Sequence, residues 1–243
     1  MVSTMFPPLA SLDEAGNSNS KSTNGAGLKY QGRKTSRANS EQRRRTILEA
    51  ALRIVVRDGV RGVRHRAVAK EAEVPLSATT YYFKDISDLI TDTFTLFVEM
   101  GADKFKIYWE EADSQLQAAV GTMNHPDVSR EQLAGRLTDL VVEYVLVQLR
   151  EHRSDLIAER AFQLECLRNE NLRPIAFNHQ AFFLNSLEAF FVRVGSSEPR
   201  VDAHLFSAVI QKVEYEGLIS SNLEVGTGMI RKMLKRQLTL IIK

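Results

Sequence analysis

A chain of 243 residues, 44% hydrophobic and 26% charged, is long enough to bury a core and has the balance of an ordinary globular protein. Its single cysteine excludes an intramolecular disulfide framework and fits a reducing compartment, and no stretch approaches the run of about eighteen apolar residues that a membrane span needs. The net charge of +2 hides an asymmetry: residues 1–95 carry 15 Lys and Arg against 10 Asp and Glu, while residues 96–243 carry 17 against 20, a basic head on a slightly acidic body.

Residues 1–39 are rich in Ser, Asn, Gly and Thr and have few side chains that could build a core, so they read as a disordered arm. The opening MFPPLA is short and interrupted by prolines, and no signal peptide is expected there. Lys21, Lys29, Arg33, Lys34 and Arg37 make the arm basic, which fits either a solvated tail or a segment that tracks DNA phosphates. From Ser40 to Asp58 the spacing of Ile47, Ala51, Ile54 and Val55 predicts a helix, with Ser40 as its cap and Gly59 as its stop. Arg43, Arg44 and Arg45 fall in its first turn, where the helix dipole disfavours them. They are either a solvated charge run or phosphate contacts, and Arg43 and Arg44 are taken as DNA-binding candidates.

Arg64 to Phe83, RHRAVAKEAEVPLSATTYYF, organises the chain. Ala67, Val68 and Ala69 begin a short helix that runs to about Ala72, Pro75 marks the turn, and Ser77 is placed to cap a second helix. Val74, Ala78 and Tyr82 recur every four residues and share one face of that helix. Leu76, Ser77, Thr80 and Tyr81 are left on the exposed side, where small, hydroxylated and aromatic side chains suit base edges and phosphates. Two short helices and a tight turn make a helix-turn-helix.

VRHRAVAKEAEVPLSATTYYFKDISDLI, with RRRTILEAALRIVVRDGVRGV ahead of it, resembles the DNA-binding signature of the tetracycline-repressor (TetR) family of bacterial transcriptional regulators, over about residues 42–92. The resemblance implies that Arg66 reaches a base, that Leu76, Ser77, Ala78 and Thr80 face the groove, that Tyr81 and Tyr82 contact phosphates, and that Phe83 docks the unit on the core. The sequence departs from the family pattern at three positions. Glu73 replaces the usual turn glycine, which suggests a less strained backbone there. Arg64 stands where a capping Thr or Ser is common. Ile86 stands where a phosphate-binding Lys is frequent, which leaves Lys84 to supply that contact.

After Phe83, Leu89, Ile90, Phe94, Phe97, Val98, Phe105 and Trp109 give one apolar face to a long helix capped by Asp85 or Ser87, with Gly101 as a bend or an end. Gly121–Asp127 reads as a loop. Helices follow over 129–151, 154–169, 171–194, 200–222 and 227–242, and no alternating strand pattern interrupts them. The fold class is therefore all-α, an N-terminal helix-turn-helix domain on a helical bundle. The expected divisions are 1–39 as the arm, 40–86 as the DNA-binding domain and 87–243 as the ligand-binding and dimerisation domain.

The last helix is apolar on more than one side and needs cover, which a symmetric four-helix contact between two copies supplies. Val209, Val213, Leu218, Met229, Met233, Leu234 and Leu238 are the residues expected at that interface. Nothing in the body carries chemistry above background. Cys166 has no nucleophile signature, the five histidines show no i, i+4 pairing, and neither a metal nor a cofactor is expected. Its aromatic residues, which could equally be plain core, become candidate walls of a cavity when the family resemblance is added: Phe97, Phe105, Trp109, Tyr144, Phe162 and Phe183, with Cys166 beside them. The reading is a cytoplasmic, homodimeric, ligand-responsive regulator, a repressor by family resemblance. Its partners are double-stranded DNA with a palindromic operator and an apolar or aromatic small molecule, and no membrane is involved. An effector-independent DNA-binding protein stays open, as does a helical carrier or enzyme that kept a vestigial helix-turn-helix.

Overall fold

The computed structural model describes residues 30–31, 38–121, 129–220 and 224–242, with backbone alone over 108–121 and 224–227. Among the described residues the chain forms α1 (Ala38–Asp58), α2 (His65–Glu71), α3 (Leu76–Tyr82), α4 (Ile86–Gly121), α5 (Arg130–Glu151), α6 (Arg153–Cys166), α7 (Arg173–Arg193), α8 (Pro199–Ile219) and α9 (Glu224–Ile241). Short 3-10 turns lie at Val60–Gly62 and Glu170–Leu172. No strand is present among the described residues, so the all-α expectation is met.

Local chemistry sets the boundaries. Gly59, at φ 73°, takes the left-handed conformation after α1, and its N–H bonds the Val55 carbonyl at 2.9 Å. Asp85 caps α4, its Oδ1 accepting the Asp88 N–H at 2.9 Å. The helix then runs 36 residues, and Gly101 does not end it. Ser129 and Gln132 cap α5 reciprocally, each side chain accepting the other's backbone N–H at 3.2 and 2.9 Å. Ser40 is not a cap, because α1 already begins at Ala38. The expected loop after Gly121 lies outside the described residues.

Two hydrophobic cores result. The first joins the α1 stripe of Ile47, Ala51, Ile54 and Val55 to Val68, Phe83, Leu89, Phe94 and Phe97, and continues into Phe162, Cys166 and Leu172. It therefore runs from the helix-turn-helix head into α6. The second packs Leu137, Val145 and Leu149 of α5 against Leu187 and Phe191 of α7, Phe206, Ile210 and Val213 of α8, and Leu234, Leu238 and Ile241 of α9.

That second core corrects the expected dimer residues. Val213, Leu234 and Leu238 are buried within the same chain and are not presented to a partner. They close α8 and α9 onto α5, and ion pairs of Arg231 with Asp139 and of Lys235 with Glu131 fix the α9–α5 contact from outside. Val209, Leu218 and Met233 are half-buried, and Met229 is exposed. The reason is that α9 carries two apolar faces. Periodicity identifies both faces without saying which one the chain itself covers.

Part of the expected disordered arm is also corrected. The Tyr30 ring lies over the Arg44 guanidinium, 4.2 Å from ring centroid to Cζ, and its hydroxyl donates to Glu99. The Gln31 N–H donates to Asp92 Oδ1 at 2.5 Å. The rest of the arm up to residue 37 lies outside the described residues.

Candidate nucleic-acid interface and cavity

The turn between α2 and α3 is a Schellman motif. The Glu73 N–H bonds the Lys70 carbonyl at 3.3 Å, and the Val74 N–H bonds the Ala69 carbonyl at 3.0 Å. The motif puts Glu73 at φ 55°, in the left-handed region. The same motif ends α7, where Gly195 N–H bonds Val192 O, Ser196 N–H bonds Phe191 O, and the left-handed residue is Gly195 at φ 80°. Glu73 thus replaces a glycine without escaping the conformation glycine favours, so the expectation of a less strained turn is overturned. Glu73→Gly should stabilise the chain by about 0.5–1 kcal/mol, relief of the Cβ clash being partly offset by the freer unfolded chain. A urea midpoint that stays put or falls would show that Glu73 makes a compensating contact.

Side chains hold the two helices together. His65 Nδ1 and Thr79 Oγ1 are 3.2 Å apart, and Thr79 Oγ1 donates to the Leu76 carbonyl at 2.8 Å. Glu71 accepts from Arg53 and Arg57 of α1, each at 3.0 Å, which clamps α2 to α1 and holds its carboxyl below the usual range. Leu76 and Tyr81 are 42% and 52% exposed, and Ser77 and Thr80 are exposed beside them. Spaced i, i+1, i+4, i+5, these four share the open side of α3. Arg43, Arg64, Arg66 and Lys84 are also exposed, and none of them pairs with an acid among the described residues.

Three of the DNA-contact expectations are corrected. Arg44 is 4% exposed; its guanidinium donates to buried Asp92 at 2.7 Å and to Glu41 at 3.1 Å. It is an internal counter-ion of α4, and because α1 begins at Ala38 it lies in the second turn and not at the helix start. Tyr82 is 5% exposed, with its hydroxyl 2.9 Å from Ser40 Oγ and its ring edge-on to Tyr81. Ala78 is half-buried against the first core. The four-residue spacing had put Val74, Ala78 and Tyr82 on the inner face, and that face is the one they occupy.

The body holds a cavity of about 740 Å³ between α4, α5, α6, α7 and α8. Phe97, Phe105, Tyr144, Cys166 and Phe183 line it. Burial pushes the Cys166 thiol up, which keeps it protonated and unreactive. The side chain of Trp109 lies outside the described residues. Phe162 is a correction: it is fully buried one layer behind the wall, stacked on Phe94 at 4.4 Å, and does not line the cavity.

Sequence reasoning missed the polar groups of the cavity. Glu159, Arg160 and Gln163 come from α6, His179 from α7 and Glu214 from α8. Gln163 donates to Glu159 at 3.0 Å; Arg160 donates to Gln163 Oε1 at 2.9 Å and to the Gln211 carbonyl at 3.0 Å. Glu214 is buried 3.7 Å from Arg160. Distance alone suggests an ion pair, but burial and the neighbouring Glu159 outweigh the guanidinium and push the Glu214 carboxyl up to about 8. Burial lowers His179, whose Nδ1 finds no partner among the described residues. The signal for Glu214 was available: a carboxylate four residues after Ile210, on the inward face of α8.

The geometry defines a class, a helix-turn-helix head on an all-helical body with an internal cavity. Residues 128–240 match the family model described as the tetracyclin repressor-like C-terminal domain. The HTH-type transcriptional regulator PksA of Bacillus subtilis (strain 168) is 35% identical over 66 residues, covering 27% of this chain and 32% of PksA, so the match spans about a third of that relative. A TetR-family structure from Streptomyces coelicolor A3 superposes with a TM-score of 0.52 at 26% identity, over 81% of this chain and 98% of the other. The multidrug binding protein EbrR, solved in complex with ethidium, does so with a TM-score of 0.55 at 26% identity and the same coverages. Residues 128–240 thus resemble a tetracyclin repressor-like C-terminal domain, and the fold is similar to that of TetR-family regulators along most of the chain.

Proposed function

We propose that this chain is a ligand-responsive regulator that binds a palindromic operator as a homodimer and represses transcription until an effector enters the cavity. One observation carries the reading. The helix α4 that follows the helix-turn-helix also supplies Phe94, Phe97, Met100 and Phe105 to the cavity wall. A ligand against those residues biases the element on which the head rests. It releases DNA only to the extent that it binds the DNA-incompetent arrangement better.

Support for the dimer comes from apolar side chains that stand exposed among the described residues. Val201, Leu205, Tyr215 and Ile219 follow each other along the outer face of α8, and Met229 and Leu240 stand exposed on α9. A two-fold contact through those faces buries them and sets two α3 helices about 34–36 Å apart, or slightly more, on successive major grooves. The resemblance to EbrR, which binds a flat aromatic dye, supports an aromatic effector in a cavity walled by phenylalanines.

Selection from random duplex DNA with the purified chain tests the reading. An inverted repeat is the expected product, and recovery of no sequence, with or without aromatic ligands present, would sink it. On the selected site Arg66→Ala should cost about 1–3 kcal/mol and relax preference at one or two base positions. A loss spread evenly over all sequences would assign Arg66 to phosphate instead.

A further inference from the structure

Among the residues that line the cavity, two carboxyl groups and one guanidinium are neighbours. Glu159 and Arg160 reach it from α6, and Glu214 from α8. The other charged lining groups are already engaged. Lys104 of α4 pairs with Asp155 of α6, and Arg173 of α7 donates to Glu170 and to the Cys166 carbonyl. His179 of α7 is held neutral by burial. Arg160 spends its two terminal nitrogens on Gln163 and the Gln211 carbonyl, with Glu214 no nearer than 3.7 Å. One positive charge is thus missing from the cluster. The walls around it are flat and apolar: Phe105 packs on Phe183 at 4.8 Å and on Phe182 at 5.8 Å, and Phe97 and Phe177 complete the surface.

We propose that the effector is an organic cation with a flat aromatic body, its charge seated between the carboxyl groups of Glu159 and Glu214, its rings against Phe97, Phe105, Phe177 and Phe183, and the proton of Glu214 leaving to solvent as it enters. This rests on the reading of the cavity as the effector site. The apolar walls supply the burial, the carboxylates supply the sign of the charge, and aromatic faces favour a cation further. Empty, the site neutralises its surplus carboxylate by holding a proton, as the raised Glu214 carboxyl indicates. Occupied, the cation takes the proton's place.

Ligand and proton then compete, which fixes the sign of the pH dependence. Ethidium, a quaternary cation at every pH used, and N-phenyl-1-naphthylamine, a neutral aromatic, are titrated by fluorescence against the full chain without DNA between pH 6 and 9. Ethidium should tighten by about tenfold per pH unit below the Glu214 value of about 8 and level off above it. In Glu214→Gln, melting curves serving as a fold check, ethidium binding should weaken by about tenfold at pH 8 and lose its pH dependence, since one charged contact is gone. In Glu159→Gln, which removes the neighbour that raises Glu214, the plateau should arrive at lower pH. The neutral probe should be flat with pH in all three proteins. Ethidium binding that ignores pH and Glu214→Gln overturns the cation assignment, as does a neutral probe that binds more tightly than ethidium at pH 8. Both results leave the cavity standing as an effector site. Failure of both probes to bind overturns the assignment and the effector reading together.

Discussion

Asp92→Ala should destabilise the chain by about 3–5 kcal/mol, because it leaves a guanidinium buried without its counter-ion. Asp92 is fully buried and accepts from Arg44 at 2.7 Å; Arg44 is in turn enclosed by the rings of Tyr30 and Phe83, 4.2 and 5.7 Å from its Cζ. The remaining partner of Arg44, Glu41, sits in solvent and cannot offset the loss. In a chain of this size such a change lowers the melting temperature by about 6–20 °C. The paired replacement Arg44→Met with Asp92→Leu should recover most of the stability, since a buried ion pair is often no better than apolar side chains of like volume. The same pair also separates two roles for Arg44. An internal counter-ion leaves the salt dependence of DNA binding unchanged when it is replaced, whereas a phosphate contact reduces the slope by about one ion. An unchanged slope is expected, and a reduced one would return Arg44 to the DNA surface.

Arg44 also marks where sequence reading reached its limit. Helical period is local, so the α1 stripe, the short α2 and α3, and a cap for α4 at Asp85 or Ser87 were all visible, and so was the inward face of Val74, Ala78 and Tyr82. The partner of Arg44 lies 48 residues away on α4, and no local pattern points to it. Tyr82 and Ala78 were misassigned when a family role was carried over against the face that their spacing had given. Glu73 shows the same effect in the backbone, for a missing glycine suggested a relaxed turn while the hydrogen bonds of the turn imposed φ 55° regardless. On α8 and α9 the apolar residues were legible, but their division between own core and free surface depends on α5, which covers Leu234 and Leu238 and leaves Met229 and Leu240 open. In the cavity the aromatic walls stood out by type. Glu214 was legible as a carboxylate on the inward face of α8 with Ile210, but its neighbours Glu159 and Arg160 lie on α6, and no local pattern joins them to it.

Phe162→Ala should cost about 3–5 kcal/mol, the range for removing a buried phenyl ring with only partial collapse around the void. Phe162 is fully buried, stacked on Phe94 at 4.4 Å with 15° between planes and tilted against Phe97 at 5.6 Å. Phe94 and Phe97 belong to α4 and line the cavity on their other side, as does Leu52 of α1. The ring of Phe162 is therefore the backing that keeps the α4 wall in place. Its loss connects the new void to the existing cavity, so water can enter and little collapse is expected. The first core runs without a break from Ile47 and Phe83 in the head to Phe162 and Leu172 in the body. Head and body should accordingly unfold in one transition in both proteins, followed by urea with a far-ultraviolet signal for helix and a fluorescent label near α3. Two separated transitions in the wild-type chain would mean that the shared core does not bind head to body, and a loss below about 1 kcal/mol in the variant would mean that α6 closes the gap. The variant bears on signalling as well. With its backing gone, α4 can yield locally to a ligand against Phe97 instead of moving as a unit. The DNA release produced by a given occupancy of the cavity should then shrink, while probe binding itself is retained.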